Sequence, residues 1–277
     1  MRIGLLRTWC GGRYLPFWRV FLQELGLELV EADQGAEADL EVCGPIRRVL
    51  GEVQSLKRRV DYLLLPDLQL GVESLRGGGQ CPWLASLETA LRFQVPDLPP
   101  LLRVPGELGP QLMSQAVEIG QLLTQNPPLV RRAWERSRYL LHPPAPSASL
   151  GRGIGIVAQP YIREDPTLQG GVEEALRARG LHPLWPSLEP ARLREEGLKS
   201  GVRLDLPTDL ELAGASWYFA RSGSVEGIVY LSANRCDPIP SLARKLARSL
   251  TKPWAFLVVG EDWSEPLGRL VQELSMR

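Results

Sequence analysis

The side chains with the most chemistry to offer are four cysteines, at positions 10, 43, 81 and 236. Three are followed within two residues by proline: Cys43-Gly44-Pro45, Cys81-Pro82 and Cys236-Asp237-Pro238. Proline suits the first turn of a helix, where its missing N–H is one of the donors left unpaired anyway. Each of these thiols therefore stands just ahead of a predicted helix start, where backbone N–H groups and the helix dipole favour the thiolate. Three thiolates brought together would make a soft-metal site with one open position. A free cysteine is also an ordinary small buried apolar residue, and spacing alone leaves both readings open.

Several alternatives fall away. No Cys-x-x-Cys occurs, which removes zinc-ribbon, ferredoxin-run and thioredoxin readings. Both histidines, His142 and His182, stand beside prolines and give a histidine metal site or a Cys–His pair little material. Four widely spaced cysteines in a chain of 277 residues do not read as a disulfide framework. Gly77-Gly78-Gly79 lacks the Lys-Ser/Thr of a phosphate cradle, and the glycines of Gly151-Arg152-Gly153-Ile154-Gly155 open a strand where a nucleotide fingerprint closes one. Glu261-Asp262 follows the last predicted strand and reads as a solvated helix start or as part of a crevice lining.

Charge and hydropathy narrow the class. Basic and acidic residues balance at 32 each, so no global field favours nucleic acid or an anionic membrane. No apolar run approaches the roughly 20 residues that span a bilayer. The opening Met1-Arg2-Ile3-Gly4-Leu5-Leu6 is too short an apolar run for a signal peptide, and a cytoplasmic protein is expected.

The elements that must position the thiols alternate. Residues 1–6 predict a strand, and Pro16 the first turn of a helix whose apolar stripe is Phe17, Trp18, Phe21, Leu22 and Leu25, closed by Gly26. Residues 27–31 predict a strand, and the short run 38–42 ahead of Cys43 another. Ile46, Val49, Leu50, Val53 and Leu56 fall at helical spacing behind Cys43. Asp61-Tyr62-Leu63-Leu64-Leu65-Pro66 has the composition of a central parallel strand. A glycine-rich loop, 71–80, then delivers Cys81 ahead of a helix marked by Leu84, Leu87 and Leu91, and 101–104 predicts a fourth strand.

Residues 107–141 read as helical with a break at Asn126-Pro127-Pro128, and 142–151 (HPPAPSASLG) as a linker. Beyond it the alternation resumes. Strands are predicted at 153–158, 181–185, 227–231 and 253–259. Helices are predicted through Leu168, Val172, Ala175 and Leu176 up to Gly180, over much of 190–221, behind Pro238, and through Leu267, Leu270, Val271 and Leu274. Strand–helix alternation argues for parallel sheets. The expected architecture is two α/β domains of Rossmann or flavodoxin type. Residues 1–150 carry a helical extension at about 107–141, and 151–277 form the second domain. Functional groups in such sheets collect beyond the carboxyl ends of the strands, so Cys43 and Cys81 are expected to face Cys236 across an interdomain crevice. Cys10 lies in the loop after the first strand and reads either as a further thiol near that site or as a buried one.

In order along nearly the whole chain, the sequence resembles the acyl-CoA dehydratase activase-related proteins, relatives of the 2-hydroxyacyl-CoA dehydratase subunits. The resemblance is carried by Ile3-Gly4-Leu5-Leu6-Arg7, Pro16-Phe17-Trp18, Leu25-Gly26, Glu41-Val42-Cys43-Gly44-Pro45-Ile46-Arg47 and Val60-Asp61-Tyr62-Leu63-Leu64-Leu65-Pro66. It continues through Cys81-Pro82, Gln159-Pro160-Tyr161, Asp165-Pro166 and Cys236-Asp237. It implies a 4Fe-4S cluster held by Cys43, Cys81 and Cys236 at a domain interface, with low-potential electron transfer or reductive chemistry on an acyl-CoA-type substrate. It also implies an activator ATPase or reductase as partner. The chain departs from the pattern at Gly51-Glu52, where the family has Gly-His, at Arg47 in place of lysine, and in lacking glycines around Cys236. It shows no ATP-binding motif of the activator. The alternative reading is a non-catalytic α/β binding or assembly protein with structural or vestigial cysteines.

Overall fold

The computed structural model describes residues 1–68, 81–109, 111–141 and 153–277. The glycine-rich segment 71–80 and the linker 142–151 lie outside them, as do His142, Gly151 and Arg152. The described residues form two compact units, one from 1–68, 81–109 and 111–141, the other from 153–277.

The first unit runs β1 (Arg2–Leu5), α1 (Gly11–Glu24), β2 (Glu28–Glu31), α2 (Gly44–Leu56), β3 (Tyr62–Asp67), α3 (Pro82–Ala85), α4 (Leu87–Gln94), β4 (Leu101–Pro105), α5 (Leu112–Thr124) and α6 (Pro127–Ser137). Its sheet has the order β2-β1-β3-β4, with every pairing parallel. The predicted stripe of α1 is buried, and Phe17, Trp18, Phe21 and Trp134 of α6 stack or meet edge to face with centroids 5.4 to 5.7 Å apart. Leu112, Ala116, Ile119, Leu123, Val130 and Ala133 join the same core, so α5 and α6 are part of this unit's packing. Gly26 ends α1 at φ 75°, with the Leu27 N–H bonded to the Leu22 carbonyl and the Gly26 N–H to Gln23, the Schellman pattern that left-handed glycine permits.

The second unit runs β5 (Gly153–Ala158), α7 (Pro160–Arg163), α8 (Pro166–Gln169), α9 (Val172–Arg177), β6 (Pro183–Leu184), α10 (Pro190–Leu198), α11 (Pro207–Arg221), β7 (Val225–Ser232), α12 (Pro238–Ala247), β8 (Trp254–Val258) and α13 (Ser264–Ser275). Its sheet repeats the plan, β6-β5-β7-β8, again all parallel.

Four local expectations are corrected. Helix α1 begins at Gly11, so Pro16 lies inside it and removes one bond to the Gly12 carbonyl. Residues 38–42 form no strand. The Ala38 N–H bonds the Arg47 carbonyl on α2, and the Leu40 and Val42 amides close tight turns onto Ala38 and Leu40, so three amides of the run are turned away from any sheet. Ser86 splits the helix expected across Leu84–Leu91 into α3 and α4. Gly170 and Gly171, both at positive φ, split the one expected through 168–176 into α8 and α9.

Two close approaches hold the pattern in place. In the second unit α10 crosses α11 at backbone contact: a Cβ on Gly214 would lie 1.8 Å from the Leu193 carbonyl oxygen, and one on Gly197 2.1 Å from that of Leu210. In the first unit the 36–37 segment lies on α2 at Gly51, where a Cβ would meet Glu37 backbone atoms at 2.5 Å. One turn face along, Glu52 is buried within the apolar side of α2. Its Oε2 accepts from the Arg7 N–H (2.9 Å), the Thr8 N–H (3.2 Å) and the Thr8 hydroxyl (2.9 Å). That carboxyl ties the β1–α1 connection, which carries Cys10, to the helix that Cys43 begins.

Gly214→Ala should therefore lower unfolding stability by about 1–3 kcal/mol, the usual cost of overpacking, since backbone must move. Gly268→Ala, on exposed α13 with open space around it, should raise stability by about 0.5–1 kcal/mol. Equal effects in denaturant melts would refute the backbone contact. For Glu52, burial raises the carboxyl above its usual range, against the pull of Thr8, Arg7 and Arg48. As pH rises, the unfolded carboxyl ionises first, at about 4.3. The native state therefore loses stability from there up to the raised folded value. Glu52→Gln should flatten that slope. Glu52→Ala, which strands the Arg7 and Thr8 donors, should cost about 1–3 kcal/mol, and a wild-type melt for the alanine variant would exclude the clamp.

Candidate functional site

The carboxyl edge of the first sheet presents three of the four thiols. Cys10 follows β1 and is the N-cap of α1, Cys43 is the N-cap of α2, and Cys81 immediately precedes α3. Because β1 lies between β2 and β3, parallel pairing sends all three connections to the same side.

Cys43 has extended backbone (φ −63°, ψ 151°), with Pro45 in the first turn behind it. It is half-buried, as is Cys81. Burial pushes the Cys43 thiol up, and the nearby Cys81 adds to the rise; the Ile46 N–H, its own amide and the Arg47 guanidinium pull it down. The structure thus brings Cys81 close enough for its charge to act on Cys43. Arg47 also pairs with Glu37 at 3.5 Å. Burial outweighs the counter-charges, so at Cys43 the neutral thiol is favoured.

Cys10 follows β1 on that same edge. It is buried, and it and Trp9 adopt left-handed backbone at φ 63° and 59°, an unusual conformation for two consecutive non-glycine residues. Its electrostatic neighbours include Tyr14, whose fully buried hydroxyl has no hydrogen-bond partner among the described residues and whose pKa burial raises, with Cys10 and Glu52 adding to the rise. Beside this corner a cavity of about 150 Å³ opens at the carboxyl ends of β3 and β4. It is lined by Trp9, Leu84 and the ion-paired Arg103, Asp67 and Glu88, among others.

In the second unit Cys236 follows β7 through a turn with Arg235 at φ 56°, two residues ahead of α12. It is half-buried and packs against the core that contains Tyr230, Ile239 and Leu242. Its place in the strand order matches that of Cys81: each follows the third strand of its own sheet, the strand next to the first. On the same edge Gln159, directly after β5, is fully buried and donates to Asp209 Oδ1 at 2.6 Å. Burial raises the Asp209 carboxyl, against that hydrogen bond, while Gln159 Oε1 and Thr208 Oγ1 have no partner among the described residues. Among the described residues of either unit, no three His, Cys, Asp or Glu side chains stand together as a metal site.

Other sequence candidates resolve into local roles. Asp165 caps α8 through the Thr167 and Leu168 amides. Asp262 accepts from the Ser264 N–H and hydroxyl and so forms a solvated helix start. Gly153 and Gly155 lie within β5. Tyr14 and Asp209 escaped the sequence reading, which noted Glu52 only as a departure from the family pattern and not for its buried role. The signal for Glu52 was available, as an acid interrupting the apolar face of α2 between Val49 and Val53.

No helix among the described residues is long and apolar enough to cross a membrane. No curated protein matches the chain. One similar solved structure is the substrate-binding protein of a sugar ABC transport system from Bordetella parapertussis 12822. It is 14% identical over 99% of this chain and 72% of that one, with a TM-score of 0.25, a likeness too loose to carry an argument. The chain also matches the CoA enzyme activase uncharacterised domain over residues 2–188, a span that includes Cys10, Cys43 and Cys81 and ends before Cys236. With most of its length matched in this way, the chain belongs to the CoA enzyme activase uncharacterised-domain family.

Proposed function

We propose that this protein binds a 4Fe-4S cluster through Cys43, Cys81 and Cys236. It would serve low-potential electron transfer or reductive chemistry, with an activator ATPase or reductase as partner and an acyl-CoA-type compound as substrate. The observation that carries the reading is the Cys43–Cys81 pair: two half-buried thiols within electrostatic reach of one another at the carboxyl edge of one parallel sheet. The proposal also takes residues 1–150 and 151–277 as two Rossmann- or flavodoxin-like domains. Cys236, at the position in its own sheet that Cys81 holds in the first, is the natural third thiol.

The residues present fit such a group chemically. Thiolate ligands need donors and positive charge to offset theirs. Cys43 has the Ile46 N–H and Arg47 in the turn behind it. Half-burial keeps solvent scarce without sealing the pair. When bound, a 4Fe-4S cluster supplies one-electron transfer at a potential set by its hydrogen bonds, net charge and exposure. The chain's own part is to hold the thiolates and to keep the Cys10 connection fixed through Glu52. Family membership supports a role beside CoA-enzyme activation.

Anaerobic purification and reconstitution, followed by iron and sulfide quantification and visible spectroscopy, tests this. About four iron atoms per chain with cluster absorption is the expected result. Cys236→Ser should sharply reduce cluster retention, while Cys10→Ser should not. A colourless, iron-free protein after reconstitution would sink the proposal and leave the non-catalytic reading, in which Cys236 is simply a packed core residue. Equal losses from the Cys10 and Cys236 variants would refute the three-ligand assignment.

A further inference from the structure

We infer that the cavity at the carboxyl ends of β3 and β4 is a binding site for a compact uncharged molecule, an apolar body with one hydroxyl or amide head. Its volume is about 150 Å³, and an apolar cavity of that order admits a ring of benzene's size. It lies where the order β2-β1-β3-β4 sets the first strand beside the third. Both sides of that junction line it, Trp9 from behind β1 and Leu65 and Pro66 from β3. The crossovers diverge there, and open parallel sheets bind their ligands at such a point.

Walls and mouth differ in chemistry. Trp9, Leu65, Pro66, Leu84 and Leu87 line the cavity and are buried. Trp9 does so from left-handed backbone at φ 59°, a costly conformation for a bulky residue and one that gathers at ligand sites. Across the mouth stands Arg103, the partner of Leu65 in the β3–β4 register. It pairs with Asp67, and its Nε lies 3.7 Å from Glu88. Glu88 in turn accepts from Arg92 Nε at 3.0 Å and Nη2 at 2.9 Å. Gly106 braces this side: its N–H bonds the Asp67 carbonyl at 2.9 Å, and a Cβ there would meet that oxygen at 3.0 Å.

That pairing decides the charge of the ligand. Two carboxylates and two guanidiniums alternate around the mouth and neutralise one another. A charged ligand must either leave its charge unpaired against the apolar walls or take a partner from an existing pair, and both are costly. An uncharged ligand does neither. Partners for its head are at hand. The Ser86 hydroxyl donates to Thr89 Oγ1 at 2.6 Å, which leaves the Thr89 proton to donate, and the Asp67 and Glu88 carboxylates accept. None of these residues is a proposed cluster ligand, so the inference goes beyond the cluster reading and holds whether or not iron loads.

The test titrates full-length protein with benzyl alcohol, benzylammonium and benzoate, three probes of nearly one size, followed by ligand-observed NMR. The alcohol should bind saturably with a Kd of about 1 mM, and each ion at least about tenfold more weakly. Thr89→Trp, at the exposed mouth, should weaken the alcohol by roughly tenfold or more. Leu122→Trp, exposed on α5, should leave it unchanged. Arg103→Met unbalances the mouth toward negative charge and should make benzylammonium the tightest of the three. The inference is overturned if the alcohol shows no saturable binding, or if either ion binds the native protein as tightly. A Thr89→Trp protein with a native melt and native affinity would overturn it too, as would an Arg103→Met protein that keeps the native ranking.

Discussion

Every strand pairing in the two sheets is parallel, and that constraint governs what the rest of the chain does. A parallel neighbour cannot be reached by a tight hairpin, so each strand must return through a crossover on the sheet face. All strand carboxyl ends of a unit then face one way, and the segments that follow them are gathered at one edge. In the first unit those segments carry Cys10, Cys43 and Cys81; in the second they carry Gln159 and Cys236. The thiols are far apart in sequence because crossover helices must separate them. Their grouping in the first unit is a consequence of topology.

At that edge two physical terms compete. Burial disfavours a charged thiolate, while helix-start amides and Arg47 favour it, and for Cys43 burial prevails. The Cys43 thiol must give up its proton to bind a metal, so that use is coupled to proton release. The same competition recurs nearby. Glu52 accepts three hydrogen bonds and Asp209 one, and burial raises both carboxyls nonetheless. The polar groups at these edges are held at a cost in solvation, borne by cores built around α1 in the first unit and the α10–α11 crossing in the second.

Much of this was legible in the sequence where period and packing agree. The α1 stripe, the α2 stripe and the apolar run of β3 each bury as their spacing predicts. Legibility failed where a local backbone preference competes with the period. Gly170 and Gly171 interrupt an apolar pattern that continues through them, and left-handed glycine decides the outcome. The run 38–42 has the look of an edge strand, but its Ala38, Leu40 and Val42 amides are taken by α2 and by tight turns, a tertiary choice no window of sequence contains. For the site, the helix starts behind the cysteines could be read from their prolines. The buried surroundings of Cys10 could not, because they depend on where Tyr14 and Glu52 come to lie.

The repeated strand order gives Cys236 a meaning that its local sequence lacks. In β2-β1-β3-β4 and in β6-β5-β7-β8 alike, the third strand lies beside the first on the side opposite the second. The crossovers diverge between those two strands, and in open α/β sheets such a point leaves a crevice beyond the strand ends. Cys81 follows that third strand in one unit and Cys236 follows it in the other. The family match ends at residue 188, so it reaches neither β7 nor the turn behind it. Topology, and not the match, is what makes Cys236 the counterpart of Cys81.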